Sequence, residues 1–283
     1  MDEQHVCGYP LRYTVSNHVL ILPTDPLNST VDAMLETGYD EEFCIADSFK
    51  PCFIARLMLA GFLVMSTAFY DEAQNQDGFL VLPKLHRVRS ALFFENLHVK
   101  KSIRKYMARY ELRIDSDFDT IVDRCIHIHG DGWLTPPLIK SIRFIRKRAT
   151  NLADCLARIE ATAGDKERDT VLQPMELPWH KMPGYVRPVS FGVYRDGELK
   201  AGEFGIIQGR VYTSYSGYFD EENAGTVQLI LMTQFLQNAH FDFLDLGMPL
   251  PYKYDLGAQD IEPSHFVRLF RNAQIGWSIR QYY

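Results

Sequence analysis

Between residues 189 and 218 apolar side chains recur at every second position, and two glycine-containing turns cut the run into three pieces. Residues 189–195 read as one strand, Asp196-Gly197 as a hairpin turn, 199–208 as a second strand, Gly209-Arg210 as another turn and 211–218 as a third strand. A period of two does not fit a helix, and Asp-Gly supplies the positive φ angles that two-residue hairpin loops need. The period then changes. Val227, Ile230, Leu231 and Phe235 share one helical face, and residues 241–246 are extended again. Three antiparallel strands, a helix and one more strand restrict this half of the chain to an α+β sheet domain.

Upstream the pattern is shorter and more mixed. Residues 19–22 read as a strand, and Ser29 or Thr30 is placed to cap a short helix ending near Gly38. Pro51 suits a first helical position, and the helix it opens stops at Gly61. Residues 79–82 and 90–94 read as strands. Asn96 is a candidate cap for a helix that puts Val99, Ile103, Tyr106, Met107 and Tyr110 inward. Asp115 or Ser116 would cap the next, with Phe118, Ile121, Val122, Cys125 and Ile126 inward. Thr135-Pro136-Pro137 opens a third, which continues or restarts through Ile159. Residues 164–184, polar and Pro-rich, read as an extended connector. The division expected is a small N-terminal α/β domain, 1–88, and a larger domain, 89–283, with an insertion at about 150–187.

Charge is distributed unevenly. Residues 84–148 hold fifteen Lys and Arg against seven Asp and Glu, a net +8 in a chain whose total is −6. A field of one sign on that stretch can steer a polyanion, whereas an ordinary solvated helix face would show the same run. The 46% hydrophobic and 13% aromatic content argues against disorder, so a folded domain is expected. Five cysteines without a CxxC pair suggest neither a disulfide framework nor a zinc ribbon. His127 and His129 are spaced like a metal pair, but no third ligand stands at a sensible interval, and no metal is expected. No apolar run approaches the ~20 residues of a membrane span, and no signal peptide opens the chain. A soluble, cytoplasmic, monomeric protein is the expectation.

Three stretches carry a resemblance. They are Arg89 through His98 with the basic helix after it, Gly132-Trp133-Leu134-Thr135, and an ungapped set. That set comprises Gly202-Glu203-Phe204-Gly205-Ile206-Ile207-Gln208-Gly209, Glu222-Asn223-Ala224, Asp245 and Leu256-Gly257-Ala258. Together they make the chain similar to the bacterial leucyl/phenylalanyl-tRNA–protein transferase family over most of residues 50–260. The resemblance implies a GNAT-like mixed sheet flanked by helices, no metal or cofactor, and transfer of an amino acid of Leu or Phe type from tRNA to a protein N-terminus, as in N-degron tagging. Its partners would be an aminoacyl-tRNA and a protein or peptide amine, with no membrane.

Carried over by position, the resemblance makes Asp245 a catalytic residue and Trp133 a stacking partner for a nucleotide. Tyr215 stands where the family has a catalytic Glu, Gly247 where it has a Gln, and Tyr252 where it has a His. Tyr215 is therefore the second catalytic candidate, with Ser216, Gly217 and Tyr252 lining a substrate pocket. Lys100, Lys101, Arg104, Lys105, Arg143 and Lys147 are the candidates for tRNA phosphates. For each there is a plainer role: a turn carboxylate, a packed aromatic, a core tryptophan, a solvated cation. Two other functions fit the same fold, a CoA- or carrier-dependent acyltransferase and a non-catalytic RNA- or protein-binding relative. Against CoA stands the loop Asp220-Glu221-Glu222-Asn223-Ala224-Gly225, with three carboxylates where a diphosphate would sit.

Overall fold

A computed structural model describes residues 8–71, 75–163 and 176–274. Part of the expected connector, 164–175, lies outside them. Among the described residues the N-terminal part contributes helix α1 (Leu27–Glu36), helix α2 (Pro51–Leu59) and a hairpin of β1 (Leu63–Asp71) and β2 (Gln76–Lys84). Strand β3 (Arg89–Leu92) then leaves this region and enters the large sheet. After it come α3 (Lys101–Met107), β4 (Glu111–Ile114), α4 (Phe118–His129), α5 (Pro136–Arg148) and α6 (Leu152–Thr162). The last third holds β5 (Val186–Arg195), β6 (Glu198–Gln208), β7 (Val211–Phe219), α7 (Ala224–Asn238), β8 (Phe243–Asp245), α8 (Pro251–Asp255), β9 (Gln259–Ile261) and α9 (Pro263–Asn272).

Seven strands pair in the order β4-β5-β6-β7-β8-β3-β9. Every pairing is antiparallel except β7 with β8, and that parallel pair is bridged by the crossover helix α7, as strand direction demands. The chain is thus α+β, with a large mixed sheet covered by helices. Alternation on the strands sorts the core. Phe204 and Ile206 of β6 pack with Ile121 of α4, Ile142 of α5 and Phe266 of α9. Ile207, one residue on, faces Met232 and Leu236 of α7 and Ile159 of α6. Ile103 ties α3 to α7 through Val227 and Ile230. Helices α2, α4, α5 and α9 therefore cover one face, and α3, α6 and α7 the other.

Several expectations shift in detail. Residues 19–22 form only single bridges, Tyr13 to Val19 and Leu20 to Ile45, rather than a ladder. Helix α1 starts at Leu27, and the Thr30 hydroxyl donates to the Pro26 carbonyl at 2.9 Å instead of capping. The strand expected to reach residue 94 ends at Leu92, because Phe94–Asn96 turns as a 3₁₀ helix. Helix α3 starts at Lys101, not after Asn96, and the cap position of α4 falls on Asp117. Asp115, in left-handed backbone at φ 59°, instead receives Arg146 and Arg187. Strand β1 was not read from the sequence: its residues continue the apolar run of α2.

Candidate functional site at the parting of β7 and β8

The parallel pair is short. Val211 aligns with Phe243, Tyr212 with Leu244 and Thr213 with Asp245. There β8 stops, while β7 runs on to Phe219. The two strands part, and the carboxyl end of a parallel pair beside a crossover helix is where open α/β sheets bind ligands. A bulge between Phe204 and Gly205 of β6 leaves Tyr215 of β7 without a cross-strand partner, at the start of the divergence.

Asp245 closes the last pair and is fully buried. Its Oδ1 accepts from Arg89 Nε at 2.7 Å and from the Gly247 N–H at 3.0 Å. Its Oδ2 accepts from Arg89 Nη2 at 2.6 Å and from the Thr213 hydroxyl at 2.8 Å. The Arg89 guanidinium lies 4.4 Å from the ring centroid of Phe266, and its Nη1 is buried without a hydrogen-bond partner among the described residues. Gly247 has φ 71°, a left-handed conformation that a glutamine would hold only under strain.

Tyr215 does not face Asp245 through a hydrogen bond. Its hydroxyl accepts from the Val64 N–H of β1 at 3.1 Å, and its ring packs on Phe204. Burial pushes the phenol well above its ordinary value. Two residues along β1, the Ser66 N–H donates to the Trp133 carbonyl at 2.9 Å, and the Thr135 N–H donates to Ser66 Oγ at 3.0 Å. The Trp133 ring is half-buried against the core. The N-terminal hairpin thereby places Tyr215 and Trp133 on the same side of the sheet.

Sequence reasoning missed three further buried titratable groups. Lys253 of α8 donates to the carbonyls of Leu246 at 2.5 Å and Met248 at 2.7 Å, and burial lowers its pKa to about 8. Glu203 of β6 is buried, accepts from the Tyr212 hydroxyl at 3.0 Å, and is pushed up to about 7 by burial. His86 is buried and held neutral, its pKa lowered to about 2 by burial and then by Arg89, Lys84 and Lys253. Only Glu203, an acid inside an apolar strand, left a signal in the sequence. Of the predicted pocket residues, Gly217 pairs with Glu203 across the ladder, and Tyr252, half exposed, is raised to about 12 by burial and by Glu203. Ser216 pairs with Phe204 and so lies on the α4 side, where Cys125 is a buried thiol.

The six candidate phosphate ligands fall on two faces. Lys100, Lys101, Arg104 and Lys105 lie on or just before α3, with Lys100 paired to Asp255 of α8 at 2.6 Å. Arg143 and Lys147 lie on α5, across the sheet, and Arg143 is held by Asp119 at 2.7 Å and Asp123 at 2.8 Å. In the acidic loop before α7, Asp220 pairs with Arg124, and Glu221 accepts from Tyr110 and from Arg195 at 2.5 Å. Nε2 of His129 stands 2.8 Å from the Gly217 carbonyl. No helix among the described residues is long and apolar enough to cross a membrane.

The chain is an α+β protein whose large mixed sheet buries the charged pair Arg89 and Asp245 at the end of its parallel strand pair. Residues 172–271 match the sequence profile of the leucyl/phenylalanyl-tRNA protein transferase family. Proteins named leucyl/phenylalanyl-tRNA–protein transferase are similar over most of their length. That of Pseudomonas entomophila is 25% identical over 68% of this chain and 71% of its own. Those of Pseudomonas putida (26%, 68% and 71%) and Maridesulfovibrio salexigens (22%, 72% and 71%) are comparable. A solved structure of a conserved protein of unknown function from Staphylococcus epidermidis covers 91% of this chain and 85% of its own at 9% identity, with a TM-score of 0.30, too distant to bear on the fold. The resemblance read from the motifs is borne out: the chain is similar in sequence to these transferases, at low identity.

Proposed function

We propose that this chain is an aminoacyl-tRNA–protein transferase. It would move an aminoacyl group from the 3′ ester of a tRNA to the N-terminal amine of a protein, in the cytoplasm. The observation that carries the reading is that the positions that align with the family's Glu, Asp and Gln, here Tyr215, Asp245 and Gly247, all lie where β7 and β8 part.

The chemistry is aminolysis. A C–N bond forms at the ester carbonyl, the C–O bond to the ribose breaks, the leaving oxygen gains a proton and the attacking nitrogen loses one. The ester is already activated, so positioning and charge stabilisation supply most of the acceleration. Asp245 acts as a positioning residue. Its oxygens are filled by Arg89, Thr213 and Gly247, so it holds the strand end and the following loop rather than offering a free lone pair. Lys253, held by the Leu246 and Met248 carbonyls with its pKa lowered by burial to about 8, would supply the field for a developing oxyanion.

The tRNA surface is assigned to α3, whose N-terminal end touches α8 through Lys100 and Asp255. Trp133, on the opposite side, would stack on a base. The carboxylates before α7 disfavour a CoA donor by charge. Residues 1–88 would act as a unit that presses β1 and His86 onto the site. The test is incubation with tRNA charged with radiolabelled amino acid and a protein bearing an N-terminal Arg or Lys. Label in the protein fraction supports transfer. Label that stays on tRNA favours a non-catalytic binding role.

A further inference from the structure

Helix α5 carries five cations and no acid along its thirteen residues. Two of the five are taken up within the fold. Arg143 is held by Asp119 and Asp123 of α4, and Arg146 by Asp115. The other three, Lys140, Lys147 and Arg148, are exposed, and none has an ion-pair partner among the described residues. Spacings of seven and eight residues put them on one side of the helix, away from the buried Leu138, Ile142 and Ile145. Phe144 lies between them, 44% exposed, with the Arg148 guanidinium 5.6 Å from its ring centroid. A lone exposed ring is ordinary. A ring set among three uncompensated cations on one helix face offers a partner both apolar contact and charge-assisted hydrogen bonds. The helix also begins beside the proposed transfer site. The N–H of Thr135, at its cap, donates to Ser66 of β1, and the N–H of Val64, two residues back on β1, donates to Tyr215.

We propose that this stripe docks the acceptor polypeptide, through an acidic segment downstream of the amine that is acylated. This rests on the transferase reading and extends it to the second substrate. The stripe lies across the sheet from α3, where the tRNA is assigned, so a nucleic-acid arm on α3 leaves α5 open. Its flank also disfavours a phosphate backbone. Asp119 and Asp123, with side chains 67% and 66% exposed, border it through Arg143. A continuous polyanion would meet those carboxylates, whereas a polypeptide can set discrete acids against Lys140, Lys147 and Arg148 and avoid like charges. Lys140 and Lys147 stand roughly 10 Å apart along the axis, which an extended chain covers in about three residues. The matching segment therefore has two acids about that far apart, with an apolar side chain between them for Phe144.

The test is fluorescence anisotropy with two labelled peptides that share an N-terminal Arg. One carries a Leu between two Glu at that spacing, and the other has Gln in place of both Glu. They are titrated with wild type, with the double variant Lys140→Glu and Lys147→Glu, and with Phe144→Ala, and thermal melts check that each is folded. The wild type is expected to bind the acidic peptide about tenfold more tightly at low salt, the combined effect of a few exposed ion pairs, and the difference should fade as salt rises. The double reversal should abolish the preference, Phe144→Ala should weaken both peptides alike, and tRNA affinity should be the same for all three proteins. Equal binding of the two peptides, or a preference that survives the reversal, overturns the proposal. A loss of tRNA affinity in the reversed protein overturns it in favour of RNA, and wild-type self-association abolished by the reversal does so in favour of a second copy. If a variant does not fold, the wild-type ranking and its salt dependence still decide. Transfer to acceptor proteins with a KM indifferent to the acidic segment would sink this inference and leave the transferase reading standing. Selective binding of the acidic peptide without transfer from any charged tRNA would sink the transferase reading and leave an acidic-polypeptide surface.

Discussion

Replacing Asp245 with Asn tests whether the acid is a structural clasp. The side chain is fully buried and accepts four hydrogen bonds, two of them from an Arg89 that is 1% exposed. Asn keeps the shape but removes the charge, and it turns one acceptor into a donor facing Arg89 together with either the Gly247 N–H or the Thr213 hydroxyl. The guanidinium is left buried with one oxygen and the Phe266 ring. Breaking a buried pair from one side costs about 3–5 kcal/mol, against a total stability of about 5–15 kcal/mol for a typical domain. Thr213→Val removes a single neutral donor and should cost about 1 kcal/mol. Removing both charges, with Arg89→Met and Asp245→Leu together, should cost less than the two single losses summed, because no uncompensated charge remains. Urea denaturation of the wild type, Arg89→Met, Asp245→Leu and the double variant gives the cycle. A loss below about 1 kcal/mol for Asp245→Asn, or strict additivity in the cycle, would refute the clasp.

Three further outcomes follow from the same geometry. Glu203 has a folded pKa of about 7 against 4.5 unfolded, so its contribution is present below the lower value and is lost as pH rises through the folded one. Glu203→Gln should therefore flatten the fall in stability between those limits, by at most about 3 kcal/mol, as read from denaturation at stepped pH. An unchanged pH profile would show that the carboxyl is not held neutral. Charge reversal at Lys101 and Arg104, both exposed, should weaken tRNA binding and reduce its salt slope by about 2, while reversal at Arg143 on the opposite face should not, as filter binding at several salt concentrations would show. Restoring the family's residue with Gly247→Gln should destabilise by about 1 kcal/mol, because the position is left-handed at φ 71°; a neutral melt would contradict this.

Much of the sheet was legible because its signals are local. Asp196 and Gly197 do take positive φ, 54° and 81°, and Gly209 takes 64°, so the two hairpins fall where the residues put them. The helix and strand that follow are legible for the same reason. What was not legible depends on distant partners. Arg89 and Asp245 are 156 residues apart, and neither shows by itself that the other fills it. The basic run looked continuous along the chain, yet α3 and α5 pack on opposite faces of the sheet and divide it. Tyr215 stands at the position of the family's Glu, but the bulge and Val64 decide where its hydroxyl goes. Lys253 and His86 gave no sign in sequence, since only burial makes them chemically distinctive.

The most direct measurement is the mass of a model protein with an N-terminal Arg or Lys after incubation with this chain and tRNA charged with a mixture of all amino acids. The account predicts a gain of one aminoacyl residue, localised to the N-terminus by fragmentation and dependent on charged rather than free tRNA. An unchanged mass with every charged tRNA, from folded protein that binds tRNA, would contradict it.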